Sequence, residues 1–178
     1  MKLIGILANP QIPVYAQIDL KYATLRLKDG ASAEIIIKVG EGNLSYTERR
    51  NIEYTLDRGV LDEVREGDEV PVEVSMDLVW EWVTGGSESG DVGTVEDFLK
   101  KKGQYSGNTS TDSDACRPYA VDIEVEYVPD CSVEDKEYIT LSDYRYEELA
   151  HDLRAGTIAT SGQCNITEAT AVRLPQST

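Results

Sequence analysis

Few residues in this chain have the chemistry of a catalyst. The single histidine, His151, is followed by Asp152. A Ser-His-Asp relay or a one-histidine metal site needs cysteines, carboxylates or hydroxyls converging on the imidazole. No such pattern surrounds His151, which reads as a surface or loop histidine. Cys116, Cys131 and Cys164 form no CxxC pair. The first two flank a strand-like stretch of about ten residues, roughly 33 Å if straight, so Cys131–Cys164 is the one pair worth considering as a disulfide. The other reading is small buried thiols in a reduced protein. Asp112-Ser113-Asp114 opens like a calcium loop but lacks the glycine and the closing glutamate. No catalytic residue, metal or cofactor is therefore expected, and the chain does not read as an enzyme.

What remains is carboxylates at alternate positions. Glu73 and Asp77 fall on one face of Val70–Trp82, opposite Val72, Val74, Met76 and Leu78. Asp122, Glu124 and Glu126 do the same within Tyr119–Val128, opposite Val121, Ile123, Val125 and Tyr127. A period of two marks half-buried strands. The wet faces are either ordinary solvated surface or a field of negative charge, since like charges side by side on a sheet cost energy. Few Lys or Arg are expected on those faces to offset them. The whole chain agrees in sign: 33 Asp and Glu against 17 Lys and Arg over 178 residues. That opposes adhesion to nucleic acid or anionic lipid. The apolar run Leu3–Ala8 is too short for a membrane span or signal core, and a cytoplasmic origin with reduced thiols follows.

The elements that must hold these faces are mostly strands in one domain, 1–178. Met1–Gln17, broken by Asn9-Pro10 and Ile12-Pro13, reads as an extended N-terminal arm. Asp19–Lys28 and Ala33–Val39 make a hairpin across Asp29-Gly30. Gly40-Glu41-Gly42 breaks the second strand, and Leu44–Tyr54 is extended again. Thr55–Glu69 reads as a charged linker, in which Val60, Leu61 and Val64 suggest one helical turn. Gly85–Gly93 is a loop, and Thr94–Lys102 is the clearest helix, capped by Thr94 and stopped by Gly103. After a polar loop at Gln104–Asp114 come a strand at Lys136–Asp143, a short helix or bulged strand at Tyr146–Arg154, a last strand at Gly156–Ile166 and a polar tail.

Three blocks carry a family resemblance: NIEYTLDRGVLDEVREGDEVPVEVSMDLVWEW from Asn51, TVEDFLKKKG from Thr94, and YITLSDYRYEELAHDLRAGTIATSGQCNIT from Tyr138. In order and spacing they resemble the tail tube (major tail) proteins of long-tailed, siphovirus-like phages. The resemblance implies a mainly-β, sandwich- or barrel-like domain with one flanking helix near residues 94–102. It further implies hexameric rings stacked into a tube, with strands of six subunits joined in an inner barrel. With about four strands per subunit at ~4.8 Å, that barrel is ~115 Å around and ~37 Å across, wide enough for a DNA duplex. On this reading Glu73, Asp77, Asp122, Glu124 and Glu126 line the lumen and repel phosphate, so DNA passes without specific binding. The position of the family's stacking loop falls on residues 55–69, where Arg58, Asp62, Glu63, Arg65, Glu66 and Asp68 would pair between rings. The implied partners are copies of itself and the tape-measure, terminator and distal tail proteins, with no membrane. The location is the virion, after assembly in the host cytoplasm. Rival readings are a tail terminator, a capsid decoration protein or a secreted β-sandwich binding module.

Overall fold

A computed structural model describes residues 23–37, 39–83, 93–127 and 136–174. The N-terminal arm 1–17, nearly all of the Gly85–Gly93 loop and Cys131 lie outside them. The chain is mainly antiparallel β, as its alternations predict. The first three strands are β1 (Ala23–Lys28), β2 (Glu34–Ile37) and β3 (Val39–Thr47), followed by β4 (Ile52–Asp57) and β5 (Val60–Glu66). Next come β6 (Val72–Val79), the short pair β7 (Trp82–Val83) and β8 (Gly93–Thr94), and the helix α1 (Val95–Leu99). The last four strands are β9 (Val121–Tyr127), β10 (Lys136–Asp152), β11 (Thr157–Cys164) and β12 (Thr170–Leu174).

Eight strands form one sheet in the order β2-β1-β9-β10-β11-β6-β3, with β12 also paired to β10. The ends of that path, β2 and β3, are separated by one residue in the chain. A two-residue step spans at most about 7 Å, so the sheet curls until its two ends approach. The inward face is continuous across the strands: Leu25 and Leu27, Val121 and Ile123, Leu141 and Tyr144, Ile158, and Val72 to Leu78 at every second position are buried. Burying a side chain of this size stabilises by about 1.5–3 kcal/mol each. Helix α1 adds Val95, Phe98 and Leu99 to this core, and the Phe98 ring meets Tyr105 edge to face at 5.1 Å. Thr94 and Asp97 cap the helix reciprocally, side chain to backbone in both directions. It ends sooner than expected because Lys101 already turns left-handed, at φ 53.

Several segments depart from the sequence reading. Gly40-Glu41-Gly42 does not break the strand: β3 runs through it across a wide irregularity, where pairing jumps from Val39–Leu78 to Leu44–Met76. The supposed linker 55–69 is most of a β-hairpin, β4–β5. Of the two readings of Tyr146–Arg154 the bulged strand is the one formed, and the expected strand Lys136–Asp143 continues into it as one 17-residue element that ends at Asp152. The polar tail contains a further strand, β12. The helix-like spacing in both places has one cause, a β-bulge. Glu147 is the extra residue in β10 and Asp62 in β5, so Tyr146 and Leu149, like Leu61 and Val64, share a face at a spacing of three. Opposite the first bulge stands Gly162, where a Cβ would lie 2.0 Å from the Arg145 carbonyl oxygen.

Candidate functional site

The β4–β5 ribbon has no core of its own. Cross-strand pairs Ile52–Glu66, Tyr54–Val64 and Leu56–Leu61 set Ile52, Tyr54, Leu56, Leu61 and Val64 on one face. All are exposed, Tyr54 at 61 % and Leu56 at 63 %. The other face carries Glu53 with Arg65, whose Nε and Nη2 reach the Glu53 carboxylate at 2.7 and 2.6 Å, along with Thr55 and Glu63. The tip is Arg58-Gly59, at φ 50 and 86, the left-handed pair that a two-residue hairpin turn requires. Arg58, Asp62, Glu63, Arg65, Glu66 and Asp68 thus lie on the tip, bulge, strand and root of one arm.

At the root, the Gly67 N–H donates to the Asn51 carbonyl at 2.8 Å and closes the ribbon. Beside it opens a cavity of about 620 Å³. Its lining includes five carboxylates, Glu48, Glu66, Asp68, Glu69 and Glu168, against Arg49 and Arg50. Arg49 also reaches Glu73 at 2.9 Å, and the Glu48 carboxylate accepts the Ala169 N–H at 2.8 Å.

The five predicted lumen carboxylates share the wet face of the main sheet but not one environment. Strand β1 pairs with β9 so that Arg26 lies opposite Glu124, and Lys28 opposite Asp122. Arg26 Nη1 is 2.7 Å from Glu126 and 3.3 Å from Glu124, Lys28 Nζ is 2.7 Å from Glu124, and the Tyr138 hydroxyl donates to Glu126 at 3.0 Å. The expectation of few compensating cations is therefore corrected for β9: the cations come from a strand nearly a hundred residues away in the chain. The Arg26 bond holds the Glu126 carboxyl below the usual range, and the same bond raises Arg26. Asp122 moves the other way, raised chiefly by burial, although it accepts the Asp143 N–H at 2.9 Å. On β6, Glu73 meets Arg49, whereas Asp77 has no ion pair among the described residues; its cross-strand neighbour is Ala159.

The remaining chemical candidates resolve into structural roles. His151 Nε2 lies 3.0 Å from Glu96, with the ring edge-on to Trp80 at 5.3 Å, which ties the end of β10 to α1. Hydrogen bonds from Lys100, then His151, lower the Glu96 carboxyl. Asp112 is held by Arg145 at 2.5 Å and Arg117 at 3.2 Å, so the calcium-like turn is an anchor for arginines. Cys116 is exposed and free; Cys164 is free and buried, its thiol pushed up to about 12 by burial. No group of three or more potential metal ligands occurs among the described residues, and none of their helices is long and apolar enough to cross a membrane. The exposed apolar row of the arm escaped the sequence reading, although the alternation Ile52, Tyr54, Leu56 before Arg58-Gly59 is a hairpin signal.

No family model matches the chain, and no curated protein matches it significantly. A solved structure with a similar chain course is the sheath/tube terminator of an extracellular contractile injection system, PVC, in its extended state. The TM-score is 0.47 at 11 % identity, over 93 % of this chain and 99 % of that one. A likeness at that level fixes neither the fold nor the function of this chain.

Proposed function

We propose that the chain is a structural protein of a phage tail, assembling with copies of itself into stacked hexameric rings whose wet faces border a DNA channel. The observation that carries this reading is the arm. A two-stranded hairpin alone is marginal in water, and this one presents Ile52, Tyr54, Leu56, Leu61 and Val64 to solvent from a body whose own core is filled. An apolar face of that kind marks a contact with another macromolecule. The apolar row supplies the area of the contact, and Arg58, Asp62, Glu63, Arg65, Glu66 and Asp68 set its register between rings.

The electrostatics fit a channel wall. The net charge is -16, and the cations on the wet face of β1 are held by Glu124 and Glu126. Arg49, Arg26 and Lys28 offset Glu73, Glu124 and Glu126, so the repulsion of phosphate that lets DNA slide without specific binding comes from Asp77, from Asp122 and from the net negative charge of the chain. The role is structural rather than catalytic, in the virion after assembly in the host cytoplasm, with tape-measure, terminator and distal tail proteins as further partners. Negative-stain electron microscopy of the purified chain over a range of concentrations tests this. Hollow rods or six-fold rings are expected; a monodisperse monomer throughout overturns the reading.

A further inference from the structure

We infer that the bulge at Asp143 is a proton-operated latch: Asp122, Asp143 and Thr111 clasp the loop 108–120 onto β9 and β10, and the clasp loosens when both carboxyls are ionised. This concerns a single subunit and stands whether or not copies assemble. The pairing of β9 with β10 shifts between Leu141 and Tyr144, so that Ser142 and Asp143 stand opposite Asp122 alone. Asp143 is left-handed there, at φ 56, a conformation that aspartate tolerates better than most residues. Its N–H donates to Asp122 Oδ1 at 2.9 Å, and its own carboxylate accepts the Thr111 hydroxyl at 2.8 Å. The same hydroxyl also acts on Asp122. A hydroxyl has one proton to donate, so Thr111 joins both carboxyls only when Asp122 is protonated and donates to the Thr111 oxygen. Neither carboxylate has an ion pair among the described residues. Lys28 of β1, opposite Asp122, lies 2.7 Å from Glu124. Arg145 of β10 is engaged by Asp112, the Pro118 carbonyl and the Asp143 carbonyl. The buried Cys164 thiol of β11, pushed up to about 12, stays neutral. Two carboxyls in one site with no cation between them favour keeping a proton. Burial raises Asp122, and the charge of Asp143 adds to that rise.

The loop keeps two other anchors. The buried Asp29 carboxylate accepts the Thr109 N–H at 3.0 Å, along with the Ala31 and Ala33 N–H groups of the β1–β2 turn. Asp112 holds Arg145 and Arg117, and its carboxyl is lowered, first by the Asp114 N–H and then by the arginines. Asp112 therefore stays ionised over the range in which Asp122 titrates, and only the middle of the loop responds. Because Asp122 is raised in the closed loop, closure is favoured below the ordinary carboxylate value and loses that advantage as the pH rises through the raised one. Amide exchange of residues 108–120, measured by mass spectrometry on dilute monomer and corrected for the intrinsic effect of pH, tests the latch. In the unmodified chain, corrected exchange of the loop is expected to be severalfold faster at neutral pH than below the carboxylate range. Asp122→Asn, neutral at every pH, is expected to keep the slower rate throughout, and Thr111→Val the faster one. Strands β6 and β11 are expected to stay equally protected in all three. A corrected rate in the unmodified chain that is the same at both ends of the range overturns the latch without recourse to any variant. Asp122→Asn with the full pH response, or Thr111→Val as protected as the unmodified chain at low pH, overturns it as well.

Discussion

Strands β4 and β6 have nearly the same sequence grammar and opposite fates. In β6, Val72, Val74, Met76 and Leu78 alternate with polar or charged residues and are all almost completely buried. In β4, Ile52, Tyr54 and Leu56 alternate with Glu53, Thr55 and Asp57, yet every residue is exposed. Alternation specifies which face of a strand is apolar. What covers that face is decided by partners far away in the chain, or in another chain. Strand β6 finds β11, β3 and the core within its own subunit. The arm finds only its own second strand, and in the proposed assembly the cover comes from a neighbouring copy.

The contrast can be broken by substitution, taken here in order of effect on folding stability. Phe98→Ala empties a fully buried site between α1 and the sheet and is expected to cost about 3–5 kcal/mol in urea denaturation. Arg26→Met removes the cation shared by Glu124 and Glu126. The pair is partly buried, between the exposed and buried extremes, so about 1–2 kcal/mol is expected at neutral pH. The pH dependence has a definite sign. The Glu126 carboxyl is held below its ordinary value, so its contribution is present above the unfolded value and is lost as the pH falls through the folded one. The variant should therefore lose less stability than the unmodified chain between neutral pH and strong acid. Asp122, raised by burial, has the reverse sign: its contribution is complete below the ordinary carboxylate value and declines as the pH rises through the folded one. Asp122→Asn should flatten that decline.

Thr94→Ala removes the helix cap and is expected to cost about 1 kcal/mol. At the bottom of the stability scale, Leu56→Ser with Val64→Ser is expected to change the unfolding free energy from urea denaturation by no more than about 0.5 kcal/mol, yet to abolish assembly in sedimentation velocity. A large loss of monomer stability from that pair would mean that the arm packs within its own subunit, and the contrast with β6 would disappear.

The legibility of the fold followed the range of the interactions. Strands β6 and β9 are visible because period-two patterns are local, and α1 because Thr94, Asp97 and the Val95-Phe98-Leu99 stripe lie within two turns. One extra residue turns a spacing of two into three, the mark of a helix, which gives Val60, Leu61 and Val64 a helical look in β5 and leaves helix and bulged strand both open at Tyr146–Arg154, where the bulged strand forms. Long-range pairing left no local trace. Nothing near Glu124 announces Arg26, so the β9 carboxylates looked uncompensated when they are not. The charges of the arm were visible from the start, but its apolar row was hidden by the helical misreading of Val60, Leu61 and Val64.

The central claim is that another copy covers the arm. Amide hydrogen exchange, followed by mass spectrometry over a dilution series, measures that cover directly. Ile52–Glu66 is expected to exchange rapidly in dilute monomer and to become protected as assemblies form, while β6 and β11 stay equally slow throughout. Protection of Ile52–Glu66 that does not change between monomer and assembly would contradict it.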